Sequence, residues 1–491
     1  MKKLITTLIL GLLILSNSLI AQDWVKKMQD PTVNFFEVQK AFNIYYEQAK
    51  AEKDKENKAS KDSGERMSGE ENEENEVPGY AVYKRWEWYM SQRVTETGER
   101  PAPDAVWKAM EEYKTTNRSL TGAGNWTYTG ITSVGSLSGA GRLNIVRVHP
   151  TNANTIFVGS PAGGLWKSTD GGSTWASNTD LLAQSIGCSD IAIDPVNTNI
   201  MYLATGDGDA SDTYSVGLLK STDGGNTWKT TGYSSTISQT RSMSRVLINP
   251  ASTNVILLGT SSGIFRSTDA GATFTMVQAG GFKDMEFKPS DPSTVYASGV
   301  EFFKSTNGGV TWTKITSGLP LVANVSRIAM ATTANDPNYV YLIIGLPAPS
   351  YGTEGFYKST TSGTSFTKVS TPNIGTQQWY DLAIAASPGA KDEVLLGGQT
   401  QFMKSINGGT SWTAIGANTH VDYHDLIYTS ATNCYVTSDG GVWSSTDKGA
   451  TWTNKSNGLP IAQIYGFGQS TTTANLQIHG WQDNGTSRYN G

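Results

Sequence analysis

The chain has little charge and almost no cysteine. Only 16% of its 491 residues are charged and the net charge at pH 7 is −5, which gives no basic surface of the kind that binds nucleic acid. The two cysteines, Cys188 and Cys434, lie in different parts of the chain, in segments that we expect to be strands of two non-neighbouring sheets. A disulfide would require those sheets to touch, so the sequence predicts two free, buried thiols.

Long apolar runs are also missing, except at the start of the chain. Lys2 and Lys3 are followed by an apolar run over residues 4–15 and by small and polar residues up to Ala21, which is the pattern of a secretory signal peptide. The run is too short and too early for a membrane span, and no cysteine follows the cleavage site, which argues against a lipoprotein. We therefore expect a secreted or outer-surface protein without a stable membrane span.

Glycine is abundant, with 52 residues, and much of it belongs to one repeated segment. The segment Gly163–Trp175 reads G-G-L-W-K-S-T-D-G-G-S-T-W and returns six more times with variations. Its closing aromatic residues are Trp175, Trp228, Phe274, Trp312, Phe366, Trp412 and Trp452. Their mean spacing of about 46 residues is the length of one four-stranded propeller blade.

Each copy contains a segment that we call a repeat turn. The seven repeat turns are residues 168–175, 221–228, 267–274, 305–312, 359–366, 405–412 and 445–452. The alternating run before each turn predicts a strand, and Asp-Gly-Gly is typical of a tight turn. The side chains expected to hold these turns are Asp170, Asp223, Asp269, Asn307, Asn407 and Asp447. Because Asn or even Thr361 can stand at this position, we interpret its role as structural and not catalytic.

These repeats resemble the Asp-box, or bacterial neuraminidase repeat, family, which is shared by sialidases, sortilin-type receptors and two-propeller xyloglucan hydrolases. The resemblance covers residues 140–491. It implies an all-β propeller of seven four-stranded Asp-box blades plus a partial eighth, over residues 119–491. It leaves the function open, because the fold serves both enzymes and binding proteins.

Residues 22–118 carry no repeat and predict a small helical region. Apolar residues at helical spacing mark residues 35–46, 83–94 and 105–113. Residues 52–76 are charged and polar without an aromatic, so we predict a disordered linker there. We expect Trp86, Trp88 and Trp107 to dock the helices on the propeller, with ligand stacking as the alternative. The segments N-F-F-E-V-Q-K-A-F and K-R-W-E-W-Y-M before such repeats make the chain similar to type nine secretion system cargo, whose C-terminal sorting domain is not visible here.

The ends of the repeat region carry incomplete blades. Residues 125–128 predict a last strand without its three partners, and residues 464–491 predict the first strands of a blade without its last. Together they are expected to form an eighth sheet that closes the ring, because closure removes exposed edges. The alternative is a chain that is a fragment of a longer two-propeller protein.

The loops opposite the repeat turns are the predicted functional face of the propeller. These loops are residues 160–163, 206–216, 347–355, 377–379, 418–425, 438–441 and 481–487. Within them, His420, Asp422 and His424 alternate as in a metal site with two histidines and one carboxylate. Alternate side chains of a strand stand about 7 Å apart, so a polar pocket wall is the favoured interpretation.

A second group of polar residues follows in the last two repeats. Asp439, Gln463, Gln482 and Asp483, with Trp481, form a series that resembles secreted Asp-box proteins often labelled glycosidase-like or sortilin-like. Carboxylates and amides bind hydroxyl groups and Trp stacks on sugar rings, so the set predicts a concave ligand site with His420, Asp422 and His424. The acidic loop with Asp207, Asp209 and Asp212 is a weaker candidate for calcium, and we favour a solvated loop.

Two functions remain open from the sequence. An inverting glycosidase would place Asp439 or Asp483 across a cleft from Asp207 or Asp209. In the xyloglucan-cleaving relatives that the repeats resemble, an Asp precedes the Gly-Gly of the first blade, whereas this chain has Pro161 there.

The sialidase alternative is disfavoured, because R-L-N stands at residues 142–144 in place of the R-I-P that precedes the first repeat turn of sialidases, and no arginine triad with a Tyr and a Glu partner can be assembled. We therefore expect a propeller that binds a glycan, a peptide or a cell-surface protein at its channel mouth, without a cofactor. The secretion machinery is a further expected partner if a sorting domain exists. A glycoside hydrolase acting on a polysaccharide is the alternative.

Overall fold

The computed structural model describes most of the chain. The described residues are 23–62, 77–102, 105–116, 139–177, 179–180, 182, 187–210, 213, 215–234, 242–473 and 475–490. The chain divides into two compact units near residue 105, a helical unit and a β-sheet unit.

The helical unit is held together by aromatic residues. Its helices are α1 (residues 23–29), α2 (Phe35–Asp62) and α3 (Tyr80–Ser91), and α4 (Ala105–Thr116) follows at the boundary between the units. The Phe42 and Tyr83 rings stack at 3.6 Å, beside the buried Trp24. Trp86 is buried in this same core, whereas Trp88 is 68% exposed. The Trp107 side chain lies outside the described set.

The predicted linker begins as helix. Helix α2 continues to Asp62, into the segment 52–76 that was expected to lack structure, because its Ala, Glu and Lys residues favour helix. Residues 63–76 lie outside the described part of the chain.

The second unit is the predicted all-β propeller. Among the described residues of this unit, seven antiparallel sheets have four strands each, paired in chain order, and an eighth sheet has three. The strands of the first four sheets are β1 (Ile145–His149), β2 (Asn152–Ser160), β3 (Gly164–Ser168), β4 (Ala176–Ser177), β5 (Cys188–Ile193), β6 (Met201–Thr205), β7 (Gly217–Ser221), β8 (Lys229–Ser234), β9 (Met243–Ile248), β10 (Ile256–Thr260), β11 (Gly263–Ser267), β12 (Thr275–Ala279), β13 (Phe282–Lys288), β14 (Asp291–Gly299), β15 (Phe302–Ser305) and β16 (Thr313–Ile315).

The remaining sheets complete the seven blades and add the three-stranded one. Their strands are β17 (Arg327–Thr332), β18 (Val340–Gly345), β19 (Thr353–Ser359), β20 (Thr367–Ser370), β21 (Ala383–Ala386), β22 (Val394–Gly397), β23 (Phe402–Ser405), β24 (Thr413–Ala414), β25 (Tyr423–Tyr428), β26 (Cys434–Ser438), β27 (Gly441–Ser445), β28 (Thr453–Asn454), β29 (Ile464–Gln469), β30 (Gln477–Trp481) and β31 (Gly485–Tyr489). The seven blades and the partial eighth sheet confirm the predicted fold class.

The ring closes between the first and seventh blades. The first strands of successive blades are neighbours, and β1 lies against β25. Val146, Ile156 and Val158 of the first blade share a core with Val442 of the seventh. The closure expected from the eighth sheet is therefore not needed, because these apolar faces already cover each other. Residues 125–128, expected to join that sheet, lie outside the described residues.

Carboxylates on the innermost strands link neighbouring blades. Asp190 on β5 accepts the Val246 N–H of β9 at 2.9 Å. Asp425 on β25 accepts the Val146 N–H of β1 at 3.1 Å and also binds Arg147, whose guanidinium reaches Asp190 at 2.7 Å. Arg147 thus connects the seventh, first and second blades by ion pairs.

Each repeat turn is held by its own side chains. The Ser168 hydroxyl donates to Asp170 at 2.8 Å, and Asp170 accepts the Thr174 N–H at 2.9 Å and the Thr174 hydroxyl at 2.7 Å. Asn307 accepts the Thr311 N–H at 3.0 Å in the same way, and its amide donates to the Thr311 hydroxyl. The turns join the third and fourth strands of each blade.

Both cysteines are free and fully buried, as the sequence predicts. Cys188 packs in the core between the first and second blades, and Cys434 packs between the sixth and seventh. Within the described part of the chain, no helix is long and apolar enough to cross a membrane.

Candidate functional site

Two cavities lie along the central channel. A cavity of about 30 Å³ is lined by the first residues of the innermost strands, including Arg327 and His424. A larger one, of about 390 Å³, is lined by the last residues of those strands, including Glu286 and Tyr428. No repeat turn lines either cavity. Because the strands of a blade are antiparallel in chain order, the repeat turn lies at the end where the innermost strand finishes, and the loops that carry the predicted site residues lie at the end where it begins.

His424 is the centre of the polar cluster at this end. The pairing of β25 with β26 skips His424, because Tyr423 pairs with Ser438 and Asp425 with Thr437, so a bulge turns the imidazole out of the ladder. The side chain is fully buried, with Nδ1 at 3.1 Å from Asp209 and Nε2 at 2.8 Å from Asp439.

The charge on His424 is favoured by its two carboxylate partners. Burial and the nearby Arg142 lower the pKa of His424, but the hydrogen bonds to Asp209 and Asp439 outweigh them and the net pKa is raised. Asp209 is itself paired with Arg327 at 3.0 Å. The imidazole therefore lies between two carboxylates that come from the second and seventh blades.

Asp439 directly follows the last residue of β26 and is almost completely buried. Burial raises its pKa, but the bond to His424 and the charges of His424 and Arg142 lower it below the ordinary value. The Tyr380 hydroxyl donates to both carboxylate oxygens, at 3.2 and 3.3 Å. Asp439 is thus held as an anion in a buried place.

Asp207 and Asp209 do not face Asp439 as free carboxylates, in contrast to the sequence expectation. Asp207 is completely buried and accepts two bonds from Arg142, at 3.0 and 3.2 Å, and one from Asn144 at 3.1 Å. These residues form structural ion pairs, because each buried anion needs a cation. The loop therefore offers no calcium ligands at Asp207 and Asp209, and Asp212 lies outside the described residues.

Asp483 approaches Asp439 from the eighth sheet. It lies in the turn between β30 and β31 with a φ of 56°, and its backbone carbonyl is 3.0 Å from Nε2 of His420. The neighbouring Asn484 donates to the Asp439 carbonyl at 3.0 Å. Burial first, and then the charges of Asp439 and Asp422 and a side-chain contact with Asp439, raise the pKa of Asp483. The turn of the eighth sheet thus forms one wall of the site.

The described residues His420, Asp422 and His424 do not form the metal arrangement that was the less favoured interpretation of their spacing. His420 binds the eighth sheet while His424 binds Asp209 and Asp439, so the two imidazoles do not converge. Among the described residues, no group of three or more metal-binding side chains has the geometry to hold an ion.

Trp481, Gln463 and Gln482 take no direct part in the cluster. Trp481 is 6% exposed, donates to the Ser487 hydroxyl at 2.7 Å and packs edge-on against His479, so neither ring face is open to a sugar. Gln482 and Gln463 are joined through their backbones at the start of the eighth sheet, at 2.9 Å. An aromatic residue that is open near the cluster is Trp379, 47% exposed and next to Tyr380.

Several site residues were missed by reasoning from the sequence. They are Arg142, Asn144, Lys283, Arg327, Tyr380 and Asp381. Most of them directly precede or begin the apolar innermost strands. A charged side chain just before or at the start of an apolar innermost strand therefore indicates, in the sequence, the loop end of the channel.

No family model matches the chain. A xyloglucanase of Paenibacillus sp is 25% identical over 333 residues, which cover 57% of this chain and 32% of that protein. A xyloglucanase of Hypocrea jecorina is 26% identical over 217 residues, covering 42% and 25% of the two chains. The matched segments thus span about a third or less of these relatives.

Solved structures agree on the fold. The GH74 xyloglucanase from Xanthomonas campestris matches with a TM-score of 0.56 and 19% identity, over 70% of this chain and 58% of that one. The GH74 enzyme of Niastella koreensis matches with a TM-score of 0.55 and 20% identity, over 74% and 60%. These likenesses show a β-propeller fold.

The comparisons correct the functional expectation. The similar curated proteins are named xyloglucanases, so the expectation of a propeller that only binds a glycan, peptide or surface partner is wrong. They favour its alternative, glycoside hydrolysis.

Proposed function

We propose that this chain carries a glycoside hydrolase activity on a polysaccharide, with xyloglucan as the first substrate to test. The observation that carries the proposal is that the turn with Asp483 lies against Asp439 at the loop end of the channel, where the neighbouring Asn484 donates to the Asp439 carbonyl at 3.0 Å. The surroundings lower the pKa of Asp439 and raise that of Asp483. Two carboxyl groups with pKa values moved apart in this way are suited to base and acid roles.

The position of Asp439 in its blade supports this assignment. Pro161 follows Ser160, the last residue of β2, and Asp439 follows Ser438, the last residue of β26. Asp439 therefore occupies in the seventh blade the place that Pro161 holds in the first. The seventh blade, which neighbours the first in the closed ring, thus carries a carboxylate at the place where the first blade has none.

The proposed reaction is the addition of water across a glycosidic C–O bond. Asp483 gives its proton to the leaving oxygen, and Asp439 accepts a proton from the attacking water. In an inverting glycosidase the acid and the base stand about 6.5 to 9.5 Å apart, so entry of the sugar and the water must separate Asp483 from Asp439. Asp483 is the partner that moves, because it is exposed on its turn while Asp439 is fixed by His424 and Tyr380.

The test is the release of reducing ends from xyloglucan and from unbranched β-glucans. Asp439→Asn and Asp483→Asn should each reduce turnover by about 100-fold or more, the usual contribution of an acid or base. Asp447→Asn is the matched control, since it lies in the same blade and Asn307 and Asn407 show that an amide serves in a repeat turn. A folded wild-type protein that releases no reducing ends from any of these polysaccharides contradicts the proposal.

We also propose that the protein is secreted, as a member of the Asp-box family and as type nine secretion cargo. The proposal is supported by the signal-peptide pattern of residues 1–21, which lie outside the described residues. Fractionation of cells that express the full chain and a chain lacking residues 2–21 tests it. Retention of the wild-type chain in the cytoplasm would contradict secretion.

A further inference from the structure

The larger cavity of the channel lies at the repeat-turn end, where the innermost strands finish. Its volume of about 390 Å³ is within the range of small-molecule sites, which is about 300 to 1,000 Å³. None of the residues that line it belongs to the cluster of His424, Asp439 and Asp483 at the loop end. The hydrolase proposed above therefore makes no use of this cavity.

Four carboxyl groups on the innermost strands each accept a backbone N–H from a neighbouring blade. Three of them also bind Arg147 or Arg245, and these three are Asp190, Asp284 and Asp425. The fourth, Glu286, accepts the Thr332 N–H at 2.8 Å, but among the described residues no lysine, arginine or histidine forms an ion pair with it. A glutamine would accept the same N–H, so the link between the blades does not require the charge of Glu286.

The wall of this cavity combines an excess of carboxyl groups with an apolar surface. Arg147 and Arg245 bring two positive charges, against the three aspartates that they bind and Glu286. An anion in the cavity would face this excess, whereas a cation would be stabilised by it. Much of the remaining wall is apolar, with side chains such as Phe287, Pro388 and Ile427. An ammonium group on a short hydrocarbon chain matches both features.

We propose that the cavity is a second binding site of this protein, which takes a small primary alkylammonium compound. The ammonium group pairs with the Glu286 carboxylate, and the hydrocarbon chain lies against the apolar wall. The unpaired carboxyl group, the excess of negative charge and the volume of the cavity carry this inference. It does not depend on the proposed hydrolysis, because the two sites share no residue.

Binding at this site should depend on pH. Burial first, and then the charge of Asp284, raise the pKa of Glu286 to about 8, although the Thr332 bonds and Arg245 lower it. The other titratable and charged groups around Glu286 are Lys288 of its own strand, Tyr296 of β14, and Arg147, Asp190, Asp425 and Tyr428 of the cavity wall. Without a cation beside it, Glu286 should hold a proton near pH 7. A bound ammonium ion keeps Glu286 ionised, so binding should release that proton and strengthen as the pH rises toward 8.

Isothermal titration calorimetry of the full chain with n-pentylammonium chloride tests the proposal. We expect saturable binding of one molecule per chain, and binding about tenfold or more weaker in Glu286→Gln, because a hydrogen bond to a charged group is lost. Glu301→Gln is the matched control and should bind like wild type, since Glu301 pairs with Lys314 on the surface of the same blade. Pentanoate, which has the opposite charge, should not bind. No binding of pentylammonium to wild type, equal binding by Glu286→Gln, or equally tight binding of pentanoate overturns the proposal.

Two further measurements decide the question if Glu286→Gln does not fold. Ala334→Leu enlarges an exposed side chain that lines the cavity, so it should weaken the binding of pentylammonium. In the wild-type protein the affinity should rise about tenfold from pH 6 to pH 7, because the ionised fraction of Glu286 rises by about that factor below its pKa. Wild-type affinity in Ala334→Leu, or an affinity that does not change with pH, contradicts the proposed site.

Discussion

At the scale of single residues, the site is built from buried charges whose partners come from different blades. His424 of the seventh blade contacts Asp209 of the second, and Asp209 contacts Arg327 of the fifth. Removing one member of such a set leaves an unpaired charge in a dry place, which costs more than the pair itself contributes. Changes of charge or of pH should therefore affect stability more at this end of the channel than elsewhere in the blades.

His424 should make stability depend on pH. Its pKa is raised in the folded protein, so its contribution is complete below the ordinary value of about 6.5 and is lost as the pH rises through the folded value. The free energy of unfolding of wild type relative to His424→Gln should therefore decrease above pH 6.5. Urea unfolding at several pH values from 5.5 to 8.5 measures this, and a constant difference would show that His424 is not charged in the folded state.

Trp379 should bind sugar through its exposed ring. Loss of a stacking partner costs roughly 1 kcal/mol, so Trp379→Ala should raise KM several-fold and leave kcat within about twofold. Trp88→Ala is the control, since Trp88 is more exposed but belongs to the helical unit. Measurement of kcat and KM of both variants on a soluble polysaccharide tests this prediction. Equal KM values in wild type and Trp379→Ala would show that Trp379 does not bind the substrate.

Part of this site could be predicted from the sequence. His420, Asp439 and Asp483 lie in loops of adjacent sheets, and blade order alone brings such loops together. Tyr380 and Arg327 belong to blades that are not neighbours of the second blade in the sequence. They reach the cluster only across the central channel, and the width of that channel depends on the number of blades in the closed ring. The burial of Trp481 could not be predicted either. Its sheet is incomplete, and the residue pattern of such a sheet does not show which of its two faces is covered.

At the scale of secondary-structure elements, the repeat turns are independent units. Asp170 bonds within its own turn, and the Thr174 hydroxyl, followed by other bonds of the turn, lowers the pKa of Asp170 to about 2. The sequence predicted these elements well, because every partner lies within a few residues of the acid. The end of helix α2 was harder to predict. Over residues 52–62 the helix propensity of the residues favours a helix, whereas their charged composition favours disorder.

The aromatic residue that closes a repeat turn should be important where it is buried. Trp228 is 3% exposed in the core between the first and second blades, so Trp228→Ala should cost about 3 to 5 kcal/mol of unfolding free energy. Trp175 is only partly buried and donates to the Lys455 carbonyl at 2.9 Å, so Trp175→Ala should cost less. Denaturant unfolding of both variants checks the order, and equal losses would contradict it.

At the scale of the whole molecule, stability depends on the closure between the first and seventh blades. Asp425 joins them through the Val146 N–H and through Arg147. The same kind of link recurs around the ring, where Asp284 on β13 accepts the Met330 N–H of β17 at 2.9 Å. The innermost strands are thus joined by side chains that take the place of a continuous ladder.

Breaking the closing link should destabilise the entire propeller. Asp425→Ala leaves Arg147 without one of its two carboxylates and Val146 without an acceptor, so the expected loss is about 3 to 5 kcal/mol. Asp392→Ala, which breaks the exposed pair with Lys391, should cost about 1 kcal/mol or less. Urea denaturation measures the free energy of unfolding of both variants. A small loss in Asp425→Ala would show that the first and seventh blades are held together by their apolar faces alone.

The two buried thiols give a way to watch the ring open. Cys188 and Cys434 sit on either side of the closure, and burial raises the pKa of both, that of Cys434 to about 12, so neither is a reactive thiolate in the closed ring. An alkylating reagent can modify each one only as fast as its own blade interface separates. Equal labelling rates at both positions mean that the propeller opens as one body, and unequal rates identify which side of the closure separates first.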